Sequence, residues 1–104
     1  MTLVPDAVLE LAAHRFALLG DPTRLRLIRV LHECGECSVR DISDRAGTTL
    51  PNASQHLSRL LVGGLVKKRR VGKSVLYSLA DETVESLCDI VCASVQGRAR
   101  LMLG

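Results

Sequence analysis

GTTLPNASQHLSRLLVGGLVKKRRVGKSVLYSL, residues 47–79, is the stretch on which the fold turns. Gly47 closes one short helix, and Thr48 or Thr49 can cap the next, with Pro51 in its first turn. Leu50, Ala53, Leu57, Leu60 and Leu61 give that second helix an apolar face as far as Gly63-Gly64. Its other face carries Asn52, Gln55, His56 and Arg59. Past the glycines, Lys67–Val71 and Val75–Leu79 read as two strands joined across Gly72-Lys73-Ser74, a basic hairpin.

Working outward from there, Val39, Ile42 and Ala46 predict the short helix before Gly47, with a small strand at Ser38-Val39. Asp21 is placed to cap a helix that has Pro22 at its first position, buries Leu25, Ile28 and Leu31 and stops near Cys34-Gly35. Val8, Leu11, Ala12, Phe16 and Leu19 mark an amphipathic helix from Pro5 to Leu19. Val84, Leu87, Val91 and Val95 mark a last one from about Asp81 to Leu101, with acids in its first turns to suit the helix dipole. The aromatic pair, Phe16 and Tyr77, is expected to share a core otherwise made of aliphatic residues.

Length and charge narrow the function. The 104 residues support one compact domain and no second. No apolar run approaches the roughly 18 residues of a membrane span, and Asp6 and Glu10 stand where a signal peptide is basic, so a cytoplasmic protein without membrane contact is expected. Residues 45–80 hold seven Lys or Arg and no Asp or Glu, whereas the remainder sums to 7 minus 11, or −4. One end of the molecule therefore expects a polyanion. An aromatic stacking platform for single strands is missing, and no nucleophile, base and oxyanion donor converge in any segment, so an enzyme is not expected.

Two helices joined by a tight turn, the second exposing small polar side chains, have the layout of a helix-turn-helix whose second helix enters the DNA major groove. Asn52 and Gln55 can bond adenine edges, Ser54 and His56 can reach bases or phosphates, and Pro51 or Leu50 can touch a thymine methyl. Thr49 and Arg59 complete this expected face. Lys67, Lys68, Arg69, Arg70 and Lys73 can neutralise phosphate, but alternate strand residues face opposite ways, so Arg70 and Lys73 near the hairpin tip are expected to matter most. Polar helix faces and basic hairpins are often only solvated surface; the acid-free span of 36 residues is what favours double-stranded DNA.

GDPTRLRLIRVL at residues 20–31, together with LPNASQHLSRLLVGGLVKKRRVGKSVLYSL at 50–79, resembles the ArsR/SmtB family of bacterial metal- and stress-sensing repressors. The likeness covers roughly residues 8–101 and rests on SQHL at 54–57, GLV at 64–66 and the Gly72 hairpin with LYSL. It implies a mainly α winged helix-turn-helix fold with a small β-hairpin wing. Residues 1–104 then form one domain: helix-turn-helix at 38–63, wing at 65–79, and dimerisation helices at 1–19 and 81–104. The implied assembly is a homodimer through the first and last helices, reading an inverted-repeat operator. Those two helices are also more apolar than a monomer of this length needs, and an isologous contact is the usual way to bury such faces.

The family's thiol-rich effector motif resembles ECSVRD at 36–41, but its usual thiolate positions fall on Ser38 and Arg40. Of its alternative last-helix site only Asp81 matches, the others landing on Thr83, Ser94 and Gly97. What remains is Cys88 and Cys92, one helical turn apart, able to hold a soft effector such as As(III), Cd(II), Hg(II) or Zn(II) given a third ligand. No cofactor is required. The same pair can pack as small hydrophobes or act as a thiol redox or sulfur-species sensor. Cys34 and Cys37 are the weaker candidates, a lone CxxC without a partner motif. With no export signal, reduced thiols are expected throughout. From another class, a helical dimer binding a protein partner without DNA is distinguishable by its indifference to salt.

Overall fold

The computed structural model describes residues 3–103 of the chain; the expected domain limits at 1 and 104 fall outside them. The element order is α1 (Asp6–Leu19), α2 (Pro22–Cys34), β1 (Glu36–Ser38), α3 (Val39–Ala46), α4 (Leu50–Val62), β2 (Val66–Val71), β3 (Ser74–Leu79) and α5 (Glu82–Leu103). Helices carry the mass of the chain and the strands form one small antiparallel sheet, a winged helix-turn-helix.

Local chemistry sets the helix boundaries. The Asp21 carboxylate accepts from the Arg24 backbone N–H at 2.9 Å with Pro22 at the first position of α2, Ser38 Oγ accepts from Asp41 N–H at 3.3 Å, and Thr49 Oγ1 accepts from Asn52 N–H at 3.2 Å. Each cap satisfies a donor that the first turn leaves open. Gly47 ends α3 at φ +69°, a left-handed conformation that glycine adopts at no steric cost, and so makes the tight turn into α4.

The core lies where α2, α3 and α4 meet the sheet. Leu27, Leu31, Ile42, Leu57, Leu60 and Leu65 are fully enclosed there, joined by Tyr77 from β3 and Val84 from α5. Burying each such side chain contributes about 1.5–3 kcal/mol. α1 is fastened by fewer contacts: Arg24 Nε donates to the Leu18 carbonyl at 2.6 Å, and Leu18 lies where Gly63 leaves no room for a Cβ.

Several expectations are corrected. The small strand runs Glu36–Ser38 and not Ser38-Val39, and it is an edge strand pairing β3 in the sheet order β1-β3-β2. Ser38 is drawn out of the helix because its side chain caps α3. The wing turn is Gly72-Lys73 alone, since Val71 pairs Ser74. Phe16 does not share the core: it is 58% exposed, and Val8 and Leu11 on its stripe are exposed too, leaving Leu19 the buried member. On α5, Val84 is buried and Leu87 half-buried, but Val91 and Val95 face outward. Both stripes therefore leave apolar side chains exposed among the described residues.

Candidate functional site

The expected DNA-facing residues divide by geometry. Pro51, Ser54, Gln55 and Arg59 are exposed on α4, and among the described residues none of their side chains is held by a hydrogen bond. Asn52 is half-buried and its amide already donates to Thr48 Oγ1 at 2.7 Å, so the turn holds it. Thr49 is spent as the α4 cap. His56 turns partly inward, with Nδ1 enclosed and without a partner, close enough to Asp21 that the two interact electrostatically. The backbone N–H of Arg24 holds the Asp21 carboxyl below the usual carboxylate range, with Arg24 and His56 adding to it.

On the wing, Lys67, Lys68, Arg69, Arg70 and Lys73 are all exposed. Their charge is not equally available. Arg69 donates through Nε and Nη2, each at 2.7 Å, to the two carboxylate oxygens of Glu36, a fork that lowers the Glu36 pKa and raises that of Arg69. Strand register explains the meeting: Glu36 opposes Ser78, Arg69 opposes Leu76, and these positions share one face of the sheet. Arg70 Nε donates to the Gly72 carbonyl at 3.2 Å, placing its guanidinium beside Lys73 at the tip. Sequence reasoning missed the Glu36–Arg69 fork. Its only trace is an acid at the start of a three-residue strand that reads as a loop.

The cysteines fall into two pairs. Cys34 and Cys37 are joined as a disulfide with Cα atoms 6.5 Å apart, contrary to the expectation of reduced thiols throughout. Gly35, at φ +80°, reverses the chain after α2 and brings β1 back within the span a disulfide bridges. Cys88 and Cys92 are free thiols, the first half-buried and the second exposed. Burial, then the neighbouring Cys92 and Asp89, push the Cys88 thiol up.

Both free thiols line a groove of about 250 Å³ between α2 and α5, with Leu25 and Ile28 at its base and Arg26, Arg29 and His32 along the α2 wall. His32 pairs with Glu85 across the groove, so α2 and α5 are tied one turn from Cys88. A second hollow of about 200 Å³, bounded by Phe16, Leu19, Leu87 and Val91, opens on the other side of the same two cysteines. Among the described residues no three His, Cys, Asp or Glu side chains stand close enough to hold a metal ion together. Likewise no helix there is long and apolar enough to cross a membrane.

Residues 19–69 match a family model described as a helix-turn-helix domain. The chain is 34% identical over 84 residues to the HTH-type transcriptional regulator KmtR of Mycobacterium tuberculosis, covering 81% of this chain and 64%, less than two thirds, of that protein. It is 35% identical over 99 residues to a probable mercury resistance operon repressor of Streptomyces lividans, covering 94% of this chain and 78% of the relative. Among solved structures it is similar, at a TM-score of 0.83 and 31% identity, to the homodimeric winged helix-turn-helix DNA-binding domain of a possible ArsR-family regulator from Mycobacterium bovis, with 95% of this chain and 94% of that one covered. The capped α3–turn–α4 unit, the basic wing and this likeness over nearly the whole chain agree, and the chain belongs to the ArsR/SmtB family of winged helix-turn-helix transcriptional regulators.

Proposed function

We propose that the chain is a cytoplasmic, homodimeric repressor that releases its operator when a thiophilic metal or metalloid binds Cys88 and Cys92. The observation that carries the sensing half is the position of these thiols. They are the free cysteines of the described chain, one turn apart on α5, in a groove whose other wall is α2, the helix packed directly on α3 and α4. An ion seated on the thiols enters the groove between α5 and α2, and the displacement of α5 against α2 that makes room for it re-aims the helix-turn-helix.

DNA binding uses the exposed Ser54, Gln55 and Arg59 in the major groove, with Pro51 and Thr49 at the entry of α4 and His56 and Asn52 behind them. Arg70 and Lys73 hold phosphate from the wing. The exposed stripes Val8, Leu11 and Phe16 of α1 and Ile90, Val91 and Val95 of α5 supply the two-fold contact. Relatives that include a probable mercury resistance operon repressor support a soft effector.

The test is fluorescence anisotropy on an inverted-repeat DNA with reduced protein, titrated with As(III), Cd(II), Hg(II) or Zn(II) and then with a mild oxidant. Release by a thiophilic ion, lost in both Cys88→Ser and Cys92→Ser, is expected. Release by oxidant alone makes the pair a redox switch. Indifference to every agent would leave Cys88 and Cys92 as packing residues and sink the sensing half.

A further inference from the structure

Cys34 is the last residue of α2 and Cys37 the middle residue of β1, and the bond between them encloses Gly35 and Glu36. A catalytic CxxC draws its reactive thiolate from the start of a helix, whereas this one ends a helix, so the pair is placed for a switch and not for catalysis. Outside oxidising compartments protein disulfides are mostly transient and redox-sensing. The two sulfurs are unequally open: Cys34 is half-buried and Cys37 is 5% exposed. An external disulfide therefore meets Cys34 first.

What the bond governs is Glu36. Side chains alternate along a strand, so Glu36 points away from the buried Cys37 and onto the sheet face where it meets Arg69. Lys67 and Glu36 both oppose Ser78, which sets a second wing cation in the same row. The Arg69 side chain is 65% exposed, and an exposed ion pair gains little beyond the freedom it takes from two long side chains. Such a fork persists where the backbone already holds one partner in place. Gly35, at φ +80° with open space beside its α-carbon, is the most pliable link of the segment. The disulfide closes the chain around it and fixes Glu36 opposite Arg69, and the dithiol returns that freedom.

We propose that Cys34 and Cys37 form a reversible disulfide that sets the charge of the wing: the bonded form holds Glu36 on Arg69, and the dithiol form releases Arg69 to a DNA phosphate. The inference rests on the DNA-binding role given above to the wing and is independent of the sensing role of Cys88 and Cys92. The oxidant is a low-molecular-weight disulfide, RSSR. The Cys34 sulfur attacks it and expels one RSH; the Cys37 sulfur then attacks Cys34 and expels the second. One S–S bond breaks and one forms, two protein thiols are oxidised, RSSR is reduced, and the thiol protons leave on the two RSH. Excess thiol reverses the exchange.

Each Arg69 released neutralises one more phosphate and adds about −0.9 to the slope of log affinity against log salt. The reduced form is thus the tighter binder at low salt, and for each Arg69 its advantage falls about 3.5-fold between about 50 and 200 mM salt.

The experiment poises the full chain in buffers of glutathione and its disulfide, maps the joined cysteines by alkylation and peptide mass, and titrates duplex DNA against salt by anisotropy. In the free protein, NMR follows solvent exchange of the Arg69 Nε–H. Expected are a Cys34–Cys37 bond that forms and opens with the buffer, a steeper slope in the reduced form, and Arg69 Nε–H exchange several-fold faster after reduction. Glu36→Gln should show the steep slope in both buffers, Arg69→Gln the shallow one in both, and Cys34→Ser the steep one in both. The Glu36→Gln comparison alters neither sulfur, so the test stands even where a cysteine variant folds poorly. Equal slopes for the two forms of the parent chain overturn the proposal, as does a Cys34–Cys37 bond that fails to form. A redox difference that survives in Glu36→Gln overturns it because the bond then acts elsewhere, and one that survives in Cys34→Ser because it then belongs to Cys88 and Cys92. Absence of DNA binding in both forms, with the Arg69 signal responding as expected, refutes the DNA-binding role and upholds the thiol control of the fork.

Discussion

Glu36 decides how much of the wing's charge a polyanion meets. Its carboxylate occupies both faces of the Arg69 fork, so of the five basic side chains on the hairpin one is already neutralised within the fold. Glu36→Gln should free that guanidinium for a phosphate. Since each neutralised phosphate contributes about −0.9 to the slope of log affinity against log salt, the variant should steepen the slope by about that much. Arg69→Gln should leave it unchanged, whereas Arg70→Gln or Lys73→Gln should flatten it by a similar step. Salt titrations of DNA binding check all four, and a Glu36→Gln slope equal to the parent's would place Arg69 away from the DNA. The same pair gives an acid limb to stability. Glu36 is held below the ordinary carboxylate range by Arg69, and Asp21 by the N–H of Arg24. A carboxylate whose folded pKa is depressed stabilises the fold above its unfolded value, near 4, and loses that contribution as pH falls through the folded value. Thermal melts from pH 7 to pH 3 should therefore fall less steeply for Glu36→Gln than for the parent chain.

At the scale of elements, α4 joins two chemistries on one helix. Leu57 is fully enclosed between α2, α3 and the sheet, while Ser54 and Gln55 a turn away are exposed. Leu57→Ala should cost about 2–5 kcal/mol in urea unfolding, lowering the midpoint with little change of slope. The apolar stripe of α5 predicts the opposite pattern. Val91 is half-exposed in the single chain, so Val91→Glu should leave its fold and melting behaviour nearly intact as a monomer yet abolish the dimer in sedimentation. A dimer that survives would move the two-fold contact off α5. These elements also show what a sequence can tell. α2, α3 and α4 were legible because caps, a terminal glycine and helical periodicity all act within a few residues. β1 was not, because a three-residue edge strand is defined by its partner β3, some forty positions later in the chain. The Phe16 stripe was legible as amphipathic but not as uncovered, since periodicity tells which face is apolar and not what lies against it. Cys88 and Cys92 were readable as neighbours on a helix, whereas the groove that frames them needs α2, whose approach no local pattern encodes.

For the molecule as a whole, the proposed sensing makes effector binding and DNA binding two ends of one equilibrium. α2 touches α3 and α4 on one side and α5 on the other, and His32–Glu85 ties α2 to α5 beside the thiol groove, so no movement of α5 is private to that groove. An effector that favours the DNA-incompetent arrangement lowers operator affinity by some factor, and by linkage DNA must lower effector affinity by the same factor. Couplings of this kind run about 1–3 kcal/mol, roughly 5- to 150-fold. The expected result is therefore a pair of equal numbers: the ratio of operator affinities with and without saturating effector, by anisotropy, and the ratio of effector affinities with and without saturating operator, by calorimetry. His32→Ala removes the tie without touching either thiol and should reduce both ratios together while leaving effector affinity for free protein within a few-fold. If both ratios in His32→Ala stayed at the parent's values, the coupling would not run through the α2–α5 tie, and the two ends would have to communicate through the remaining contacts of α2 with α5 instead.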